Sequence, residues 1–254
     1  MSRGAKVILA VLVVLVVMVL AVVWWIVDGS TMWPRTLHCR RTLVVETPEG
    51  QRLGSNVVEY KTYFPGGLIT RAQGYGVIGR GQGEATVVDL GERGLLFATL
   101  ANEERLANGG LSFYAACEIP FPRQNFLNKF EQRGSANDEY ADYLDELNRQ
   151  KPKGEVPFKD LPMLVRFRDP NDPTSVERVD PSDLAAIFGS GVKLDSMTIE
   201  ITDAAVTKGI EAVLPWLEGR ESQRLRPPPP GLRPLSDTPL VSLLTDNDFR
   251  RFPK

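Results

Sequence analysis

The chain has few of the residues from which catalytic and metal centres are often built. Its 254 residues include one histidine and two cysteines. A single histidine excludes a zinc site with two histidine ligands and argues against a histidine-based triad. We interpret His38 as a polar residue near the membrane interface. The sequence therefore predicts no catalytic, cofactor-binding or metal-ligating residue and no bound cofactor.

Charge is absent from one long stretch near the N-terminus. Residues 7–27 contain no charged residue, no glycine and no proline. A helix of about 21 apolar residues spans roughly 30 Å, the thickness of the hydrocarbon core of a bilayer. A cleavable signal peptide has a shorter apolar core and a cleavage site of small residues. The pattern favours a transmembrane signal anchor over 7–27, preceded by a short segment, 1–6.

The direction of this anchor is predicted from the basic residues beside it. Arg3 and Lys6 lie immediately before the apolar run, whereas Arg35, Arg40 and Arg41 follow it at a greater distance. The closer charges favour a cytoplasmic N-terminus, and a long C-terminal domain crosses the membrane largely regardless of its charge. The alternative is an inverted anchor that leaves the domain in the cytoplasm.

Excess positive charge is also lacking. The chain has 30 basic and 32 acidic residues, a formal net charge of −2. Such a surface has no general attraction for nucleic acid, so no nucleic-acid partner is predicted. With 43% hydrophobic and 24% charged residues, the composition is that of a globular domain.

The two cysteines leave two interpretations open. The chain has an even number of cysteines, Cys39 and Cys117. Because their compartment is expected to be oxidising, they can form one disulfide. The other interpretation is two buried thiols that pack as small apolar residues.

Short β-prone segments dominate the first half of the chain. Residues 42–47 and 53–63 flank the turn-forming 48–50, and 84–90 and 95–100 flank 91–94. These patterns predict two antiparallel hairpins. From residue 135 the period becomes helical, with Tyr140, Tyr143, Leu144 and Leu147 on one face.

Residues 161–217 carry the strongest pattern. Alternation predicts strands at 163–168, around 176–179 and at 192–201, with a bulge at Asp195. Asp180 is the predicted cap of a short helix that ends at Gly189. Apolar residues of a second helical stripe follow, and its members are Val206, Ile210, Val213, Leu214 and Leu217.

Proline dominates the composition beyond residue 217. Four consecutive prolines at 227–230 cannot join a sheet or a helix interior. We therefore expect an extended tail over 218–254, with a short docked piece at 240–244. The predicted architecture is α+β, an N-terminal transmembrane helix followed by one domain of mainly antiparallel sheet with two or three short helices. Its segments are 1–6, the anchor 7–27, a juxtamembrane link 28–41, the domain 42–217 and the Pro-rich tail 218–254.

Three motifs match known sites in spacing only. Gly74, Gly76 and Gly79 fit a dinucleotide fingerprint, but no helix is predicted after them. Ser190 and Lys193 fit the Ser-x-x-Lys pattern of penicillin-binding enzymes, yet they lead into a strand. Residues 169–180 fit a calcium loop in part, with Pro173 at a ligand position. We interpret the glycine-rich segment as a loop or a bulged edge, 190–193 as residues that lead into a strand, and 169–173 as a turn.

Several short motifs together resemble an uncharacterised family of single-span, membrane-anchored proteobacterial proteins. The residues that carry the resemblance are 46–50, 83–85 with 89–91, 176–181, 199–203 and 214–217. The family has no assigned activity, so the resemblance transfers no site residue. It implies a bacterial inner membrane, and the cytoplasmic N-terminus predicted above then puts the C-terminal domain in the periplasm.

The function favoured by these features is a non-catalytic binding or scaffolding domain of the cell envelope. Its expected contacts are the lipid bilayer, through 7–27, and an envelope protein partner. The alternative is an envelope hydrolase that uses carboxylates or a serine in a site not recognisable from sequence.

Overall fold

The computed structural model describes residues 3–27, 34–64, 77–101, 116–126, 136–227 and 238–252. Within them the fold is α+β, which confirms the predicted class. The helices are α1 (Arg3–Val27), α2 (Ala136–Gln150), α3 (Ala185–Phe188) and α4 (Leu240–Leu243). The strands are β1 (Arg35–Thr47), β2 (Gly50–Tyr63), β3 (Ile78–Glu84), β4 (Thr86–Asp89), β5 (Leu95–Ala98), β6 (Lys153–Glu155), β7 (Leu164–Phe167), β8 (Val176–Val179), β9 (Lys193–Thr202) and β10 (Arg250–Arg251).

The chain divides into two compact units. The first comprises Met1–Arg35 with Thr62–Gly79, and the second comprises Thr36–Lys61 with Arg80–Lys254. The first unit contains α1, a helix of 25 residues. Among the residues that the structure describes, no helix meets both the length and the apolarity required to cross a bilayer.

A six-stranded sheet forms the larger layer of the second unit, in the order β10-β3-β2-β1-β9-β6. Strands β1 and β2 are neighbours joined by two residues, so they form the hairpin that the sequence predicts. Strand β9 pairs antiparallel with β1. Val44 lies opposite Ser196 and Val45 opposite Leu194, so Asp195 is bulged out as predicted.

A smaller sheet of four strands has the order β4-β5-β7-β8. Strands β4 and β5 form the second predicted hairpin, in which Thr86 lies opposite Ala98 and Asp89 opposite Leu95. Strands β7 and β8 pair antiparallel, with Leu164 opposite Val179. This last register places the start of β7 beside the end of β8.

Two groups of buried side chains hold these layers together. One inner face of the large sheet carries Leu37, Leu43, Met197 and Ile199, each at most 2% exposed. The predicted face of α2 also contributes, because Tyr143, Leu144 and Leu147 are buried. A second cluster surrounds the small sheet, and its largest members are Phe97, Phe167, Phe249, Leu214 and Leu217.

Two predicted segments differ from the elements that the structure shows. Strand β1 begins at Arg35, within 28–41, which the sequence assigns to a juxtamembrane link. Residues 36–41 alternate between half-exposed and buried positions, but buried Arg41 interrupts the apolar pattern that would identify them as a strand. The predicted cap, Asp180, instead accepts the Ser182 N–H in a turn, and the short helix α3 begins later, at Ala185. Gly189 ends this helix as predicted.

The second predicted helical stripe is not a helix. Ile210–Ala212 and Pro215–Leu217 are separate 3₁₀ turns. Pro215 lacks an N–H and clashes with the preceding turn of an α-helix, which explains the interruption. The predicted core contact is nevertheless present, since Ile210, Leu214 and Leu217 are buried.

The predicted extended tail is, over its described residues, part of the domain. Leu225 and Leu244 are buried and joined by a backbone hydrogen bond of 3.0 Å. Helix α4 forms the predicted docked piece. Beyond it Phe249 is fully buried, and β10 pairs antiparallel with β3. The core contacts of these residues are with strands far away in the sequence, which a local pattern cannot reveal.

Candidate functional site

An amphipathic cleft of about 480 Å³ lies at the end of the small sheet. One wall is the segment 158–164, which contains the 3₁₀ turn Phe158–Asp160 and leads into β7. The other wall is 178–181, the end of β8 and the turn that follows it. The pairing of Leu164 with Val179 brings the two walls together.

The floor of this cleft is apolar and held by backbone hydrogen bonds. Met163, Leu164 and Val179 are each at most 2% exposed. The Met163 N–H donates to the Ala101 carbonyl, and the Met163 carbonyl accepts the Thr99 N–H, both at 3.0 Å. Because these bonds fix the floor to the end of β5, the cleft is built into the sheet rather than into a loop.

The rim of the cleft combines one exposed aromatic ring with charges of both signs. Phe158 is 58% exposed, although large apolar side chains are usually buried. Lys159, Asp160, Arg178 and Asp180 complete the rim. Hydrogen bonds from the hydroxyl and backbone N–H of Ser182 lower the pKa of Asp180. An apolar floor beneath a few charged groups is typical of sites that bind an amphipathic ligand.

A second polar cluster surrounds the histidine on the outer face of the large sheet. His38 lies in β1, with Nδ1 2.8 Å from the Ala204 carbonyl and Nε2 3.1 Å from the Glu59 carboxylate. His38 is thus part of the large sheet, and its position near the membrane interface stays a prediction. Both ring nitrogens are engaged, so the ring is not poised to accept a proton from a substrate.

Glu59 is the centre of that cluster. Its carboxylate accepts hydrogen bonds from Gln82 at 2.6 Å and from Lys61 at 3.0 Å, besides the contact with His38. Burial raises the pKa of Glu59, but the bonds from Lys61 and His38 outweigh it and lower the pKa below the ordinary value. The side chains come from adjacent strands β1, β2 and β3, which explains why no short motif contains them.

Cys39 and Cys117 are joined by a disulfide. Their Cα atoms are 5.8 Å apart, and both residues are 1% exposed. The bond ties β1 to the 3₁₀ turn Ala116–Glu118 across 78 residues of sequence. Its burial is typical of a structural crosslink rather than of a reactive thiol pair.

The three spacing motifs of the sequence form no common site among the described residues. Gly74 and Gly76 lie outside the described part, and Gly79 is in β3. Lys193 begins β9 and pairs with Glu46 at 2.7 Å. Asp169 and Asp172 accept hydrogen bonds within their own turns. A search of the described residues finds no group of three or more side chains able to hold a metal ion.

Buried carboxylates are present, and the structure gives them local partners. Glu84 accepts the N–H groups of Gly209 and Ile210, each at 3.0 Å. Asp248 accepts the N–H and the hydroxyl of Thr245 at 2.7 and 3.0 Å. Burial raises the pKa of both acids. The alternative of a carboxylate- or serine-based hydrolase stays a prediction.

Sequence reasoning missed the cleft. Its walls are separated along the chain, and the pairing of β7 with β8 is what joins them. The only local signal is Phe158, an aromatic residue between Pro157 and Lys159 outside any apolar pattern.

A scan against protein-family models, a search of curated proteins and a search of solved structures each return no match.

Proposed function

We propose that the chain is a single-span protein of the bacterial inner membrane whose periplasmic domain binds a protein partner through the cleft. The observation that carries the binding role is the pairing of an exposed Phe158 with a buried apolar floor and a charged rim. Aromatic side chains of this kind often provide much of the affinity at protein interfaces. The partner is expected to insert an apolar side chain between Phe158 and Met163.

The anchor in this proposal is supported by residues 7–27. They are free of charge and follow Arg3 and Lys6, which favours a cytoplasmic N-terminus. The resemblance to single-span proteobacterial proteins agrees with this location. The helical conformation of Arg3–Val27 is the one that hydrocarbon requires, because all backbone groups must be paired within the segment.

The compartment is supported by the disulfide. Disulfides persist in the periplasm and are rare in the reducing cytosol. The bond between Cys39 and Cys117 lies in the domain that follows the anchor. A domain that depends on it folds better on the oxidising side of the membrane.

The binding role is tested by crosslinking in intact cells, followed by purification of the full-length chain. We expect the wild type to retain a reproducible partner that Phe158→Ala loses. Leu53→Ala is the matched control, because Leu53 is 66% exposed on β2 and does not line the cleft. Equal partner recovery from both variants and the wild type would contradict the cleft as the binding site.

A further inference from the structure

A segment after β9 is held across the outer face of the large sheet by polar contacts, and its last residue, Ile210, is buried in the apolar core. We call residues 203–210 the strap. Thr207 exchanges two hydrogen bonds with the backbone of Val57, at 2.9 and 3.0 Å. Glu84 fixes the far end of the strap through Gly209 and Ile210. His38 fixes the near end through the Ala204 carbonyl.

The two contacts of the His38 ring, one at each nitrogen, require a hydrogen on both nitrogens. Nδ1 faces a backbone carbonyl and Nε2 faces a carboxylate, and neither of these groups can donate a hydrogen bond when the carboxylate is ionised. A neutral imidazole carries a single N–H. The imidazolium form therefore satisfies both contacts, whereas the neutral form must abandon one of them.

The neutral ring is expected to abandon Ala204. A hydrogen bond to an ionised carboxylate is about twice as strong as one between neutral groups. The single remaining hydrogen accordingly stays on Nε2, toward Glu59. The lone pair of Nδ1 then faces the lone pairs of the Ala204 carbonyl, which weakens the near end of the strap.

Other charged groups lie around the ring on every neighbouring element. Lys61 on β2 contacts Glu59, and strand alternation places Arg80 on the same side of β3 as Gln82. Arg40 and Glu200 pair at 3.6 Å on the same outer face, across β1 and β9. At the start of the strap, Asp203 pairs with Lys151 at 2.6 Å. The ring is thus the group that links this charged surface to the strap backbone.

We propose that His38 is a pH-sensitive latch that holds the strap against the sheet when its ring carries two hydrogens and releases the Ala204 end when it loses one. The far end stays fixed by Glu84 and Asp203 still pairs with Lys151, so release loosens the strap between Ala204 and Thr207. Release uncovers the backbone N–H and carbonyl of Val57 and the polar face of β1 and β2. This device is independent of the cleft and of the membrane location.

The test uses nitrogen chemical shifts of the ring in the full-length protein in detergent micelles. Because the chain has one histidine, the ring signals need no assignment. We expect hydrogens on both nitrogens while the ring is charged and on Nε2 alone once it is neutral. As the ring becomes neutral, the exchange protection of the Thr207 amide should fall about fivefold to tenfold, which corresponds to the loss of one hydrogen bond.

Two controls separate the latch from general loosening. The Val156 amide, bonded to the Met197 carbonyl, should keep its protection throughout. In Glu59→Gln the ring titration and the loss of Thr207 protection should move together to lower pH. A neutral ring that keeps its hydrogen on Nδ1, or Thr207 protection that does not follow the ring titration, would overturn the proposal.

Discussion

Gly54 lies so close to Val87 that a Cβ atom on Gly54 would stand 2.0 Å from the Val87 carbonyl oxygen. Gly54 belongs to β2 of the large sheet, and Val87 belongs to β4 of the small one. The missing side chain thus allows the backbones of the two sheets to touch. This contact fixes the small sheet, and with it the cleft, against the large sheet.

Gly54→Ala is therefore expected to destabilise the domain strongly. The new methyl group would displace backbone rather than a flexible side chain, so the free energy of unfolding should fall by about 3 kcal/mol or more. Chemical denaturation followed by tryptophan fluorescence measures this change. Ser55→Ala, at an exposed neighbouring position, should change it by less than about 0.5 kcal/mol. Equal stability of the two variants would contradict the close contact.

Phe249→Ala tests whether the last residues belong to the core. Phe249 is fully buried, with its ring centroid 5.3 Å from that of Phe167 and 5.7 Å from that of Trp216. Removing the ring should lower the free energy of unfolding by about 3 to 5 kcal/mol. Asn247→Ala, which loses one exposed hydrogen bond to Ser222, is the matched control. If Phe249→Ala were as stable as this control, the last residues would not belong to the core, and the predicted extended tail would be correct.

Features that depend on neighbouring residues could be predicted from the sequence, and contacts between distant residues could not. The hairpin β1–β2, the bulge at Asp195 and the buried face of α2 depend on patterns within about 20 residues, and the structure confirms all three. The packing of Phe249 against Phe167 depends on a partner more than 80 residues away, so local periodicity carries no record of it.

The candidate site was not predicted, although its strands were. Phe158 and Arg178 line one cleft because β7 pairs with β8, and Glu59 meets His38 because the β1–β2 hairpin extends back beyond residue 42. The patterns that locate these strands do not give the exact register or extent of their pairing, on which both clusters depend. The residues that fit part of a calcium loop lie in turns, where Asp169 accepts the Asn171 N–H and Asp180 accepts the Ser182 N–H.

Glu84 should make the stability of the domain depend on pH. Burial raises its pKa above the ordinary value of 4.5, although the N–H groups of Gly209 and Ile210 oppose this shift. Between the two pKa values the folded state binds more protons than the unfolded state, so stability falls as pH rises through that interval. The wild type should therefore lose stability relative to Glu84→Gln as pH increases above about 4.5. A pH-independent difference between the two proteins would contradict this account.

The disulfide should supply a large part of the stability. Its 78-residue separation corresponds to about 4 to 5 kcal/mol on the chain-entropy model. We expect the double variant Cys39→Ser with Cys117→Ser to lose about that amount in denaturant titrations. The denatured wild-type protein should show no reactive thiol before reduction and two afterwards. Two reactive thiols before reduction would show that Cys39 and Cys117 are not joined by a disulfide.

The central claim is that the domain after residue 34 lies outside the cytoplasm, attached by 7–27. The most direct measurement is the activity of a phosphatase that works only after export, fused to the C-terminus of the full-length chain in growing bacteria. The account predicts an active fusion, and replacing Val14 and Val17 by arginine should abolish its activity. An intact wild-type fusion without phosphatase activity would contradict the claim and place the domain in the cytoplasm.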